Sequence, residues 1–105
     1  MAQVPPQVHL PVPPGRISAF CRKWRIKELA LFGSVLRDDF SPASDVDVLV
    51  SFSPEAHVSL FDFVEMREEL EGIFQRKVDL VSEGGLRNPF RRHEILSSRQ
   101  VVYAA

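Results

Sequence analysis

Asp45 and Asp47, separated only by Val46, open an otherwise apolar stretch, "DVDVLVSF". Alternate residues of a strand point the same way, with Cα atoms about 6.6 Å apart. The two carboxylates therefore share one face, where they repel each other, and burial beside a core sharpens the repulsion. A divalent cation removes the conflict. Hard oxygen ligands suit Mg²⁺, which keeps several waters and takes one or two protein carboxylates plus substrate phosphates. Two such ions, about 3.5–4 Å apart, fit between side chains reaching in from one wall. Asp79 in "RKVDLVS" is the third candidate, because a lone charge among Val78, Leu80 and Val81 is costly without a partner. It joins the other two if its strand pairs beside 45–52.

Gly33-Ser34 follows the apolar run "ALF". A glycine lets backbone approach a phosphate closely, and a serine hydroxyl with free N–H groups at a turn makes an anion-binding nest. "GS" alone is a weak signal. Followed by Arg37, and by Asp45-x-Asp47 beginning eleven residues after Ser34, it becomes specific. The other acids fit less well: Asp38 and Asp39 fall in a loop, and the Glu65–Glu71 group on a solvated helix face. His9, His57 and His93 have no metal-ligand spacing. Arg91-Arg92 reads either as a solvated helix face or as a grip on substrate.

These residues need elements to hold them. Ile17, Phe20, Cys21 and Trp24 follow the i, i+3, i+4, i+7 spacing of an amphipathic helix over 16–24. "IKELALF" reads as a strand ended by Gly33. In "DVDVLVSF" the period of two puts Val46, Val48 and Val50 on one face and Asp45, Asp47, Leu49 and Ser51 on the other. "SLFDFVEMREELEGIFQ" is helical, with Leu60, Phe63, Val64, Leu70, Ile73 and Phe74 as its apolar face and Ser59 capping it with Asp62. "KVDLVS" is a short strand. "NPFRRHEILSS" gives a helix capped by Asn88, with Pro89 in its first turn and Phe90, Ile95 and Leu96 as its apolar side. "QVVYA" is a last strand or a frayed tail, in which Tyr103 is structural or docks a partner. The order predicts an α+β fold, a small mixed β-sheet with helices packed mainly on one face. The open face carries the aspartates.

At 105 residues the chain is one domain. Residues 1–15 hold five of the eight prolines and no charged side chain, so they read as a proline-rich extended or disordered arm outside a domain at 16–105. The formal net charge of −1 provides no bulk attraction to nucleic acid or membrane, and no direct DNA binding is expected. Charge is segregated all the same: residues 16–27 carry five bases and no acid, and residues 38–71 carry ten acids against the single Arg67. A phosphate-bearing partner between basic flanks suits that pattern, as does a solvated surface. The one cysteine, Cys21, has no internal partner and reads as a core residue in a reducing compartment. With no apolar run near 20 residues and no signal-peptide pattern, a cytoplasmic protein is expected. Trp24 and the eight phenylalanines read as core rather than as a base-stacking platform.

"GSVLRDDFSPASDVDVLV" resembles the GSxxR…SDxDLxV signature of the DNA polymerase beta-type nucleotidyltransferase superfamily, in its minimal nucleotidyltransferase (MNT) branch. The resemblance covers residues 16–103. It implies that Gly33 and Ser34 bind a nucleoside triphosphate, that Asp45 and Asp47 ligate two Mg²⁺ ions, and that Asp79 helps hold the catalytic metal and orients or activates the attacking hydroxyl. Arg37 matches the signature arginine and would contact phosphate or position the loop. Asp38 stands where the family often has glycine, and Val48 where it usually has leucine. The implied reaction moves a nucleoside monophosphate from an NTP, with ATP as the expected donor, to a hydroxyl. Family members often pair with a HEPN-type RNase toxin and act as antitoxin by transferring AMP to it, which is the leading expectation here. The alternatives are a small-molecule acceptor, with the chain as a homo-oligomer, or a non-catalytic module that masks the toxin.

Overall fold

Helix α1 (Pro14–Lys23) starts on a proline, whose fixed φ suits a first helical turn, so it begins two residues before the expected boundary. Arg22 and Lys23 fall in its last turn, where cations meet the negative end of the helix dipole. Arg25 then takes a left-handed φ of 56°, and Ser53 N–H donates to its carbonyl at 2.9 Å. This launches strand β1 (Ile26–Phe32), which a 3₁₀ turn (Gly33–Leu36) ends. Strand β2 (Val46–Phe52), helix α2 (Leu60–Phe74), strand β3 (Val78–Ser82), a second 3₁₀ turn (Glu83–Gly85), helix α3 (Pro89–Ser98) and strand β4 (Gln100–Ala104) follow. The computed structural model describes residues 8–38, 40–41 and 43–105.

The four strands form one mixed sheet in the order β3-β2-β1-β4. β1 runs antiparallel to β2 and β4, and β2 runs parallel to β3 across the α2 crossover. The "QVVYA" segment is thus a strand, and Tyr103 is buried in the core. Strand alternation sorts side chains to two faces. Leu29, Leu31, Val46, Val48, Val50 and Val102 join the main core with α1 and the Met66, Leu70 and Phe74 stripe of α2. Ala30, Phe32 and Leu49 point the other way and meet Leu86 and Ile95 in a second, smaller core. The expectation of an open second face is therefore corrected: α3 covers part of it, and the part bearing Asp47 and Asp79 stays uncovered.

The capping box of α2 is formed as expected, with Asp62 N–H donating to Ser59 Oγ at 3.0 Å and Ser59 N–H to Asp62 Oδ2 at 3.1 Å. Its apolar face is narrower than expected. Met66 heads the buried stripe, while Leu60 is 78% and Val64 41% exposed. On a helical wheel these two lie about 120–160° from Met66. Phe90 likewise is 85% exposed, because it stands about 140° around α3 from the buried Ile95.

The proline-rich arm needs a larger correction. Its first seven residues lie outside the described residues, as does Asp39. Val8, Leu10 and Val12, however, are buried in the main core, and His9 N–H donates to Val35 O at 3.1 Å. Apolar residues at every second position give an extended segment one buried edge, and the prolines between them do not prevent it. Cys21 is fully buried, and burial pushes its thiol up to about 12. Among the described residues, no helix is long and apolar enough to cross a membrane.

Because Leu10 is 6% exposed, Leu10→Ala is expected to cost about 2 kcal/mol, read as a lower denaturation midpoint in urea. An unchanged midpoint would show that the segment does not dock.

Candidate active site

Phe32, the last residue of β1, pairs directly with Asp47 of β2. The next residue, Gly33, turns the chain away with a φ of +72°. A Cβ on Gly33 would lie 3.2 Å from Asp47 Cγ and overlap its Oδ2. Glycine is required here both for the left-handed backbone and for the space. Ser34 then ties the turn to the motif: its hydroxyl donates to the Asp45 carbonyl at 3.2 Å, and its backbone favours the charged form of the Asp47 carboxyl. Arg37 ends the turn, its N–H donating to Ser34 O at 3.0 Å, and its side chain is exposed.

Asp45 stands one residue before β2 and is exposed, while Asp47 lies within the strand and is half-buried. On the other side of β2, Asp79 of β3 pairs in register with Asp47. Burial raises the Asp47 carboxyl above its ordinary range, and the charges of Asp79 and Asp45 push in the same direction. The Ser34 N–H and the charge of Arg91 oppose that rise. The turn and all three aspartates thus come together where two strands adjoin.

The donor set is all oxygen and all anionic, which suits a hard cation. The repulsion felt by Asp47 is of the kind a cation relieves. Among the described residues, no group of three or more His, Cys, Asp or Glu side chains already stands in a chelating arrangement. Asp45 and Asp79 are exposed, so their side chains can turn toward Asp47 without disturbing the core.

Asp45, Asp47 and Asp79 line one open cleft of about 680 Å³, whose far wall is Arg67 and Glu71 of α2 with Arg76 and Lys77. Arg76 is committed to structure: it lies over the Phe40 ring at 4.6 Å and donates to Ser41 O at 2.7 Å, steadying the loop that leads to Asp45. Asp38, beside the turn, is exposed and sits 3.5 Å from His9. Arg67 and Lys77 are site neighbours that the sequence reading did not single out. Helix phase and strand pairing bring them here, and neither is visible in local spacing. The Arg91-Arg92 pair divides. Arg92 bonds to Glu83 Oε1 at 3.2 Å and Glu83 O at 3.0 Å, whereas Arg91 acts on Asp47.

Residues 17–102 match the family model described as a nucleotidyltransferase domain. The chain is 36% identical over 81 residues to the protein adenylyltransferase MntA of Thermococcus cleftensis, with 77% of each chain covered. A solved structure assigned as a minimal nucleotidyltransferase is similar at 31% identity and a TM-score of 0.68, over 83% of this chain and 86% of that one. A chain from the complex of tri-AMPylated Shewanella oneidensis HEPN toxin with MNT antitoxin shares the fold, with a TM-score of 0.63 at 17% identity, over 88% of this chain and 70% of that one.

Gly33→Ala forces both a strained φ and a collision with Asp47, so it is expected to lower stability by about 1–3 kcal/mol. Asp47→Asn keeps the shape of the side chain and removes a crowded, half-buried charge, so in metal-free buffer it leaves the thermal midpoint equal or higher. Calorimetry of the two variants checks both, and a lower midpoint for Asp47→Asn would refute the electrostatic account.

Proposed function

Because the chain belongs to the nucleotidyltransferase domain family, we propose that it transfers AMP from ATP to a hydroxyl of a HEPN-type toxin and acts as that toxin's antitoxin. The observation that carries this reading is Asp47 standing in register beside Asp79, with Gly33 packed against it and the Ser34 hydroxyl bonded to the Asp45 carbonyl. A pure binding module has no need for such a cluster. The name of the Thermococcus relative and the AMPylated toxin in the neighbouring complex support AMP as the transferred group and a HEPN protein as acceptor. A reducing, cytoplasmic setting suits the single buried Cys21.

In this reading Asp45, Asp47 and Asp79 hold two Mg²⁺ ions, which when bound supply charge stabilisation to the attacking and leaving oxygens. Gly33, having no side chain, admits the triphosphate close to the backbone, Ser34 offers it a hydroxyl, and Arg37 contacts its phosphates. The bond between the α-phosphorus and the oxygen bridging to the β-phosphate breaks, and pyrophosphate leaves. A new bond forms from the acceptor oxygen to the same phosphorus. Asp79 is the exposed member of the paired acids, so an incoming hydroxyl reaches it first. It orients that hydroxyl and takes its proton.

The test is incubation with ATP labelled at the α-phosphate, Mg²⁺ and a purified HEPN-type toxin. Label is expected on the partner, reduced about a hundredfold or more in Asp47→Ala and abolished by chelation. An unlabelled partner in a stable complex would overturn transfer in favour of masking. Label on a small acceptor alone would overturn the toxin as substrate.

A further inference from the structure

Two neighbouring arginines at the start of α3 meet different ends of the sheet. Arg92 is held by Glu83, whose carboxylate also accepts from Ser51, and Arg99, two turns on, donates to Glu28 Oε2 at 3.0 Å. Glu28 and Ser51 are themselves cross-strand partners. One flank of α3 is therefore fixed over the end of β2 far from Asp47. Ile95, buried among Ala30, Phe32 and Leu49, marks the stripe that faces the sheet. Arg91 lies about 40° from Ile95 on the side opposite Arg92. That side faces the other end of β2, where Asp47 stands. The Arg91 side chain is exposed and makes no hydrogen bond among the described residues.

The sheet order adds a direction. The Gly33–Ser34 turn leaves β1 and approaches Asp47 from the β1 side, Asp79 lies on the β3 side, and the open cleft is lined by Asp45, Asp47 and Asp79 together. The second core around Ile95 takes in Ala30 and Phe32 of β1 and Leu49 of β2, with Val81 of β3 and Val101 of β4 packed against it. Phe32 is the residue that precedes Gly33 and pairs with Asp47, so α3 packs beside the turn. An arginine guanidinium with no hydrogen-bonding partner, beside a turn suited to anions, matches the planar, multiply accepting oxygens of a phosphate chain.

We infer that Arg91 binds the phosphates of the donor nucleotide beside the Gly33–Ser34 turn. The inference rests on the nucleotidyltransferase reading above and assigns a binding role to a residue outside the family signature. Calorimetric titration of the full chain with ATP and Mg²⁺ tests it. Arg91→Ala is expected to weaken ATP binding roughly tenfold to a hundredfold, as loss of a charge-assisted bond does, with the thermal midpoint unchanged. Arg91→Lys recovers part of the affinity, and Arg87→Ala, at another exposed arginine nearby, has no such effect. Unaltered affinity in Arg91→Ala, or an equal loss in Arg87→Ala, overturns the inference and leaves the proposed function standing. Failure of the unaltered chain to bind ATP overturns the proposed function itself, and the inference with it.

Discussion

Two like charges are held in register by the hydrophobic effect acting on the opposite side of the same strands. Val46, Val48 and Val50 of β2 and Val78 and Leu80 of β3 are all buried in the main core. A slip of one residue in the pairing would turn either set out to solvent, and each buried branched side chain is worth about 1.5–3 kcal/mol. That sum exceeds the repulsion of two partly solvated carboxylates. Asp47 and Asp79 have no choice of neighbour, because the valines beside them have chosen. The ladder begins with Val46 N–H donating to Lys77 O at 2.9 Å, one residue from the charged pair. The sheet's apolar face thus sets the geometry of its polar one.

The second face is divided between packing and chemistry, and polar contacts mark the border. Glu83 is the pin. The Ser51 hydroxyl holds its carboxyl below the usual range against the opposing effect of burial, with the Arg92 and Arg99 charges in support. Through Arg92 the same group fixes the start of α3. The helix therefore shields Ala30, Phe32 and Leu49 without extending over Asp47. What remains uncovered is bordered by a helix on one side and opens on the other into a cleft where Arg67, Arg76 and Lys77 face four carboxylates.

Much of this was legible in the chain, for identifiable reasons. β1 occupies the "IKELALF" run and α2 its capped segment, because alternation, the capping box and Gly33 are local signals. The gathering of Gly33, Ser34, Asp45 and Asp47 follows from one short motif on two adjoining strands. Asp79 was legible only as a condition, since parallel pairing across a helix is set by the whole core. Met66 was hidden in the acidic "EMREELE" run, and the buried edge of residues 8–12 was masked by prolines. The cover supplied by α3 rests on two apolar residues, Ile95 and Leu96, too few to fix a helix phase from sequence. For the same reason Arg91 and Arg92 could not be told apart before their helix was placed on the sheet.

The bond from His9 to Val35 links the first described residues to the back of the turn that carries Gly33 and Ser34. Val35 is itself fully buried, between that extended segment and the sheet. The loop is thereby wedged from behind, so its ordering entropy is lost when the chain folds rather than when a ligand arrives. Pulling the leading segment out of its groove would leave every aspartate in place and still slacken the hinge in front of them.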